Sequence, residues 1–203
     1  MMRIRHWLDF LFPPRADEVV LRDVSIDTFL ALMSPRLVLT TRPETVALLP
    51  FHNTSVRSAI HEAKYHNNEF SFELLASALS EYLRDDGFTK PIIVPIPLGK
   101  IRRHERGFNQ VEEIIQRASE GLDVEINTRL LERTRETASQ ISLPRHEREK
   151  NMHEAFEAMR PADPSRTYII VDDVITTGAT LQAAIEALKE SGAKHIVPLA
   201  LAH

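Results

Sequence analysis

Apolar positions along the chain follow two rhythms. Tyr168-Ile169-Ile170-Val171 is continuously apolar, the pattern of a parallel strand buried on both faces rather than one that alternates with solvent. Pro91-Ile92-Ile93-Val94-Pro95-Ile96-Pro97 is a second such run, with prolines limiting how far it extends in a sheet interior. Thr45 to Phe51 reads as a short strand and Lys194 to Ala202 as another β-rich run. Helical spacing appears in Val56, Ala59, Ile60 and Ala63 after Thr54, and in Phe72, Leu75, Leu79 and Leu83 before Gly87. It recurs in Val111, Ile114, Ile115 and Ala118, and in Ala179 to Ser191 before Gly192. Ser25 is placed to cap a short helix that turns Phe29, Leu30, Leu32 and Met33 inward and ends before Pro35. Strands alternating with helices predict an α/β fold with a parallel sheet flanked by helices.

Two stretches lack such a rhythm. Trp7, Leu8, Phe10, Leu11 and Phe12 form a short aromatic-rich turn closed by Pro13-Pro14, expected to pack on the main domain. Thr128 to Phe156 is polar and without a clear period, and reads as a mobile loop. Within it Arg145–Asn151 is expected to form a short helix and Phe156 to re-enter the core. Loops this long inside a compact domain are commonly lids or binding loops.

The apolar run at Tyr168 ends abruptly in Asp172-Asp173, followed by Val174-Ile175-Thr176-Thr177-Gly178-Ala179-Thr180-Leu181. A parallel strand opens its following loop at the carboxyl edge of the sheet, where open α/β sheets bind ligands. Thr176 to Thr180 carries no charged side chain, and Gly178 lets the backbone turn and approach a ligand closely. Amide N–H groups at the start of the next helix converge where an anion can sit, and the hydroxyls of Thr176, Thr177 and Thr180 add donors. Two acids beside a phosphate cradle would repel it unless they face sugar hydroxyls or a magnesium ion. The loop therefore suggests a sugar phosphate. A second cluster follows the Pro91–Pro97 run, where Lys100, Arg102, Arg103, His104 and Arg106 form a cationic loop ahead of Gly107-Phe108-Asn109-Gln110. Arginine's planar paired donors suit a pyrophosphate there. Ala63-Lys64-Tyr65-His66-Asn67-Asn68, at a helix end, reads equally as solvated or ligand-facing.

Composition narrows the classes. The chain has 203 residues, 43% of them hydrophobic, enough for one substantial core. A net charge of −4 excludes a general polyanion-binding surface, so any nucleic-acid contact must be local, at the basic clusters Lys100–Arg106 or Arg129–Lys150. There is no cysteine, which removes disulfides and thiolate metal sites. The apolar stretch near the amino terminus is interrupted by Asp9 and too short for a signal peptide, and no other segment approaches the roughly 18 apolar residues of a membrane span. A cytoplasmic protein is expected.

The strand, acid pair and Thr-Thr-Gly-x-Thr loop resemble the phosphoribosyl-pyrophosphate motif of type I phosphoribosyltransferases. In order along the chain, the following residues are similar to ComF-family proteins, phosphoribosyltransferase-like competence proteins: Val94-Pro95-Ile96-Pro97, Arg102, Arg106-Gly107-Phe108-Asn109-Gln110, Arg133-Thr134, Thr137, Gln140, Leu143, Arg148, Asn151, Phe156 and Val171 to Gly178. Leu8 to Pro14 is similar to the family's amino-terminal leader. The resemblance implies a type I phosphoribosyltransferase-like sheet with a small amino-terminal helical segment and a mobile lid, divided into a leader at 1–44 and the main domain at 45–203. It implies phosphoribosyl pyrophosphate as ligand. Asp172 and Asp173 would hold the ribose hydroxyls and magnesium, directly or through water, and Thr176, Thr177, Gly178, Ala179 and Thr180 the 5-phosphate. Arg102 and Arg106 would act at the pyrophosphate, and Arg133 and Thr134 would open a catalytic lid running to Gln140.

Two departures from the family pattern, and one from the wider fold, qualify that reading. Many members carry a four-cysteine zinc module after the leader, whereas here Arg15-Ala16-Asp17-Glu18 follows, so no zinc is expected. His104 stands where a more basic residue is common. Thr176 stands where purine-salvage relatives of the fold carry an aspartate facing the base, so efficient purine salvage is not expected. The acceptor is not implied. The family is associated with uptake of transforming DNA and with DNA-processing partners. The alternatives to a phosphoribosyltransferase are therefore a non-catalytic competence factor binding single-stranded DNA or protein partners, and a phosphoribosyl-pyrophosphate-sensing regulator.

Overall fold

The computed structural model describes residues 15–85, 87–134 and 155–203. Its centre is a six-stranded sheet built from β1 (Arg36–Val38), β2 (Thr45–Leu49), β3 (Ile92–Pro95), β4 (Glu125–Ile126), β7 (Thr167–Val174) and β8 (His195–Ala202). The order across it is β1-β2-β8-β7-β3-β4; β1 runs antiparallel on the β2 edge and every other pairing is parallel. β7 thus has a parallel neighbour on each side, with Tyr168 opposite Ile92 on one and Ile196 on the other. This is why its sequence shows no alternation. Ile169 and Val171 enter the core on one face and Tyr168 and Ile170 the core on the other, so every position from Tyr168 to Val171 is buried.

On the Ile169 face lie α3 (Thr54–His66), α4 (Glu69–Asp85) and α6 (Gln110–Ala118), which contribute Val56, Ala59, Phe72, Leu75, Leu79, Ile114 and Ile115. On the Ile170 face lies α7 (Ala179–Glu190), which buries Leu181, Ile185 and Leu188. α1 (Ala16–Leu21) and α2 (Ile26–Leu30) precede the sheet. α2 is held as its sequence predicts: Ser25 Oγ accepts the Thr28 amide, Thr28 Oγ1 accepts the Ser25 amide, and Phe29 is wholly buried. β3 is an interior strand with Pro95 at its end, and the Ile96 amide donates to Val171 O at 2.9 Å one residue beyond. The ladder to β7 therefore runs past the proline, whose missing donor does not interrupt it.

Two expectations are corrected. The cationic stretch is not a loop but a helix, α5 (Lys100–Arg106), bounded by Gly99 in extended backbone and by Gly107 at φ 77°. Arg103 and Gly107 close its backbone bonds to the carbonyls four residues back. Lys, Arg and Glu are good helix formers, and a glycine in the left-handed region ends the helix at low cost. None of its residues is buried, so no apolar period could announce it. The ends of the supposed Thr128–Phe156 loop are strands: β5 (Leu131–Arg133) pairs antiparallel with β6 (Phe156–Ala158), and Phe156 enters the α7 core. The rest of the expected lid, from Arg135 to Gln140, the Arg145–Asn151 helix and the Trp7–Phe12 turn lie outside the described residues. No helix among the described residues is long and apolar enough to cross a membrane.

Candidate ligand-binding site

β7 delivers Asp172 and Asp173 at the carboxyl edge of the sheet, and the two side chains are held differently. Asp173 is 8% exposed. Its Oδ2 accepts from Lys64 Nζ at 2.9 Å and Gln110 Nε2 at 2.6 Å, and its Oδ1 accepts the Val174 amide at 2.7 Å. Asp172 is half-buried and accepts the Asp173 amide through Oδ1 at 2.9 Å. Burial, and then the negative charge of Asp173, push its carboxyl up to about 7, against the opposing pull of that amide, Lys64 and Arg133. Two adjacent carboxylates at a half-buried strand end are an anionic spot that a cation or several hydroxyl donors would relieve.

Cations surround that spot. A cavity of ≈ 340 Å³ is lined by Lys64, Arg102, Arg106 and Arg133 together with Asp172, Asp173, Thr176 and Thr180, over a floor that includes Ile96, Pro97, Leu98 and Val174. Arg106 is placed by its partners: its guanidinium lies 5.0 Å from the Tyr65 ring centroid and Nη1 donates to Gln110 Oε1 at 3.2 Å. Gln110 therefore links Arg106 to Asp173, with Asn109 Oδ1 capping the helix that carries it. Arg133, brought in from β5, lies 5.3 Å from the Phe156 ring of β6. Cationic, anionic and hydroxyl groups thus converge from α3, α5, β5, the end of β7 and the start of α7, beside the Gln110 amide of α6.

Beside the cavity, Asp172 and the Val174–Leu181 segment line a smaller recess of ≈ 30 Å³. Gly178 stands at its back with φ 76° and opens α7. A methyl group there would come within 2.9 Å of Thr40 Cβ and of Thr41 Cγ2 and would collide with Thr40 Oγ1. The Thr40–Pro43 segment is itself fixed against α7: the Arg42 amide donates to Gln182 Oε1 at 2.8 Å, and Lys189 Nζ donates to Arg42 O at 2.9 Å. Behind it the buried Thr41 Oγ1 meets Thr45 Oγ1 at 2.7 Å. The loop is small at Gly178 because another segment presses on it.

The phosphoribosyl transferase domain family matches residues 61–202, which contain all of these groups except Thr40–Thr45. The chain belongs to this family. It is 31% identical over 144 residues to Competence protein F of Haemophilus influenzae, covering 68% of this chain and 63% of that protein. It is 35% identical over 143 residues to DNA utilization protein YhgH of Escherichia coli, covering 66% of this chain and 61% of that protein. The chain therefore spans a little over three fifths of the length of these curated relatives. Among solved structures it is similar to a hypoxanthine phosphoribosyltransferase from Staphylococcus aureus, at 16% identity and a TM-score of 0.39, covering 66% of this chain and 63% of that one. The resemblance to ComF-family proteins read from the motifs is borne out by the family match and the curated relatives.

Within this phosphoribosyl transferase domain, the residues singled out from sequence fall into three groups. Arg102, Arg106, Arg133, Asp172, Asp173, Thr176 and Thr180 share the one cavity. Thr177, Gly178 and Ala179 line the adjoining recess with Thr176 and Thr180. Thr134 is exposed, donates its amide to Ala155 O at 3.0 Å, and is not among the cavity-lining residues described. Lys64 and Gln110 were not assigned to the site from sequence, yet both bind Asp173. The Lys-Tyr pair at a helix end was a weak signal for the first, and the Gly-Phe-Asn-Gln run after the cationic stretch for the second.

Proposed function

We propose that this chain binds phosphoribosyl pyrophosphate with magnesium and transfers the phosphoribosyl group to an acceptor that is already nucleophilic. The observation that carries this reading is the single cavity onto which Asp172, Asp173, Thr176 and Thr180 open opposite Arg102, Arg106 and Arg133. The 5-phosphate suits the recess at the start of α7, the ribose hydroxyls suit the two acids, and the pyrophosphate suits the arginines. The donor set also suits magnesium: Asp172 is a hard oxygen ligand beside a second carboxylate, whereas Asp173 Oδ2 already holds Lys64 and Gln110. Asp172 would therefore hold the ion, directly or through water, with Asp173 behind it. Bound there, magnesium would supply charge neutralisation at the departing pyrophosphate.

In the reaction the acceptor bonds to the anomeric carbon while the bond to pyrophosphate breaks. Arg102 and Arg106 stabilise the charge that builds on the leaving group. Arg106 is fixed for this by Tyr65 and Gln110. Thr176 cannot accept a proton as a carboxylate would, and a positioned base typically contributes 10²–10⁴-fold. An amine, ammonia or an anion needs no such base, so it is favoured over a purine.

Ligand-induced melting shifts test binding. At 100 times the dissociation constant the ligand should stabilise by about 2.7 kcal/mol. An equal response in Asp172→Asn/Asp173→Asn would refute the site. Pyrophosphate release, measured with ammonia, amines and then each nucleobase, tests turnover, and rapid turnover of hypoxanthine, guanine or adenine would overturn the acceptor argument.

A second reading is favoured by α5, which buries none of its residues, exposes Lys100, Arg102, Arg103 and His104, and reaches the cavity through Arg102 and Arg106. Together with relatives named for competence and DNA utilization, this supports a cytoplasmic DNA-handling factor in which the basic helix contacts single-stranded DNA or a DNA-processing partner. Binding of an oligonucleotide that weakens with salt and with Arg103→Glu supports that reading; no binding at low salt removes its direct-contact form.

A further inference from the structure

The carboxyl end of α3 carries His61, Glu62 and His66, which offer one ligand atom each, all within 4.8 Å of one another. None of them lines the cavity described above. Glu62 has a side chain with no exposed surface, yet it is charged: Arg15 donates Nε to Oε1 at 2.8 Å and Nη2 to Oε2 at 2.6 Å, which holds the carboxyl below its ordinary range. Oε1 lies 4.0 Å from His66 Nε2 and retains a lone pair after accepting from Arg15. His61 is also held in place. Its Nδ1 lies 2.8 Å from Asp17 Oδ2, and Ser58 Oγ donates to Asp17 Oδ1 at 2.7 Å. A carboxylate fixing one imidazole nitrogen sets the ring's tautomer and orientation and raises its basicity, as outer-shell carboxylates do for metal-binding histidines.

The surrounding charge also favours a cation. Asp17, Glu18 and Glu62 face Arg15 and Arg22, so carboxylates outnumber guanidiniums around the two imidazoles. Two imidazoles and a carboxylate are the donor set of zinc and its first-row neighbours. Metal–ligand bonds of about 2.0–2.1 Å place ligand atoms about 3.4 Å apart in a tetrahedron, so the cluster must contract by about an ångström. His66 is free to supply that movement: it is the last residue of α3, a third exposed, and followed by Asn67 at φ 48°.

We propose that His61, Glu62 and His66 form a binding site for a first-row divalent transition metal, zinc above all, with Asp17 as the residue that orients His61. Because Arg15 and Asp17 come from the α1 segment and the ligands from α3, the metal would clip these two elements together.

The full-length protein, stripped with a chelator, is titrated with zinc by calorimetry and with cobalt as an absorbing probe. One equivalent should bind, and both His61→Gln and His66→Gln should weaken that binding at least tenfold. Asp17→Asn should weaken it about tenfold, in the range seen for outer-shell partners. Zinc should also raise the melting temperature of the wild type in a concentration-dependent way and lose that effect in the histidine variants. Both histidines are partly exposed, so the variants should melt with the wild type in chelator, and that melt serves as the folding control. Absence of stoichiometric binding by the wild type would overturn the proposal. So would zinc affinity unchanged in both histidine variants, which would put the ion at Asp172–Asp173 or another histidine.

Discussion

Asp172→Asn should make the ligand-free protein more stable at neutral pH, and the gain should depend on pH in a defined direction. Asp172 is pushed up to about 7 by burial and by Asp173, from an ordinary value of 3.8. A carboxyl whose folded pKa lies above its unfolded one binds more protons in the folded state across that window, so stability falls as pH rises through it. Below the unfolded value both states carry the proton and the effect vanishes; above about 7 the full cost is present. One pKa unit corresponds to about 1.36 kcal/mol, so from about pH 5 to about pH 8 the wild type should lose about 2–3 kcal/mol from this group. Asparagine keeps an Oδ1 to accept the Asp173 amide and cannot ionise. Urea denaturation of both proteins at the two pH values isolates the contribution of Asp172, because histidines unaffected by the substitution cancel in the difference. The stability advantage of Asp172→Asn should grow by about 2–3 kcal/mol at the higher pH. Magnesium, if held by Asp172, should diminish that growth. An advantage that stays constant or shrinks with pH would refute the argument that burial and Asp173 raise this carboxyl.

Gly178→Ala should cost about 2–4 kcal/mol in denaturant melts, since a left-handed alanine alone costs about 1–2 kcal/mol and its methyl group meets Thr40 and Thr41; a loss below about 1 kcal/mol would show that this contact gives way easily. Lys64→Met leaves Asp173 held by Gln110 and its own loop but without its cation; because the pair is partly open to the cavity, the loss should be about 1–3 kcal/mol, and a double-mutant cycle with Asp173→Asn should recover most of it. Arg15→Ala should destabilise by about 1–3 kcal/mol, because Glu62 is buried while Arg15 is nearly half exposed and Asn68 still donates to Glu62, and Glu62→Gln in the same background should restore part of that loss.

Much of the fold was legible because the elements that matter most carry local signals. β7 announced itself by an unbroken apolar run, which the sheet explains by placing a parallel neighbour on each edge and a helical layer on each face. α2 was legible down to its Ser25 cap, and α3, α4 and α7 through their apolar spacing. α5 was not, because a helix that buries nothing has no period to display. β5 and β6 are equally short of signal: each is three residues long, and they find each other across the 135–154 stretch.

The site divides along the same line. Acid pair, threonines and glycine are contiguous, so one stretch of sequence displays them. The groups that set their electrostatics reach them from far along the chain: Gln110 and Lys64 arrive at Asp173 across separations of 63 and 109 residues. No local pattern encodes such a meeting, since it depends on how α3 and α6 cover one face of the sheet. The same distant contacts make Asp172 and Asp173 unequal. Asp173 is tied to a lysine and an amide, which fixes it as part of the frame, while Asp172 accepts the Asp173 amide and its charge is disfavoured by burial and by Asp173. Of two identical neighbours in the sequence, the structure therefore fixes one in the frame and leaves the other more open to the cavity, and the pH dependence predicted for Asp172→Asn tests that inequality.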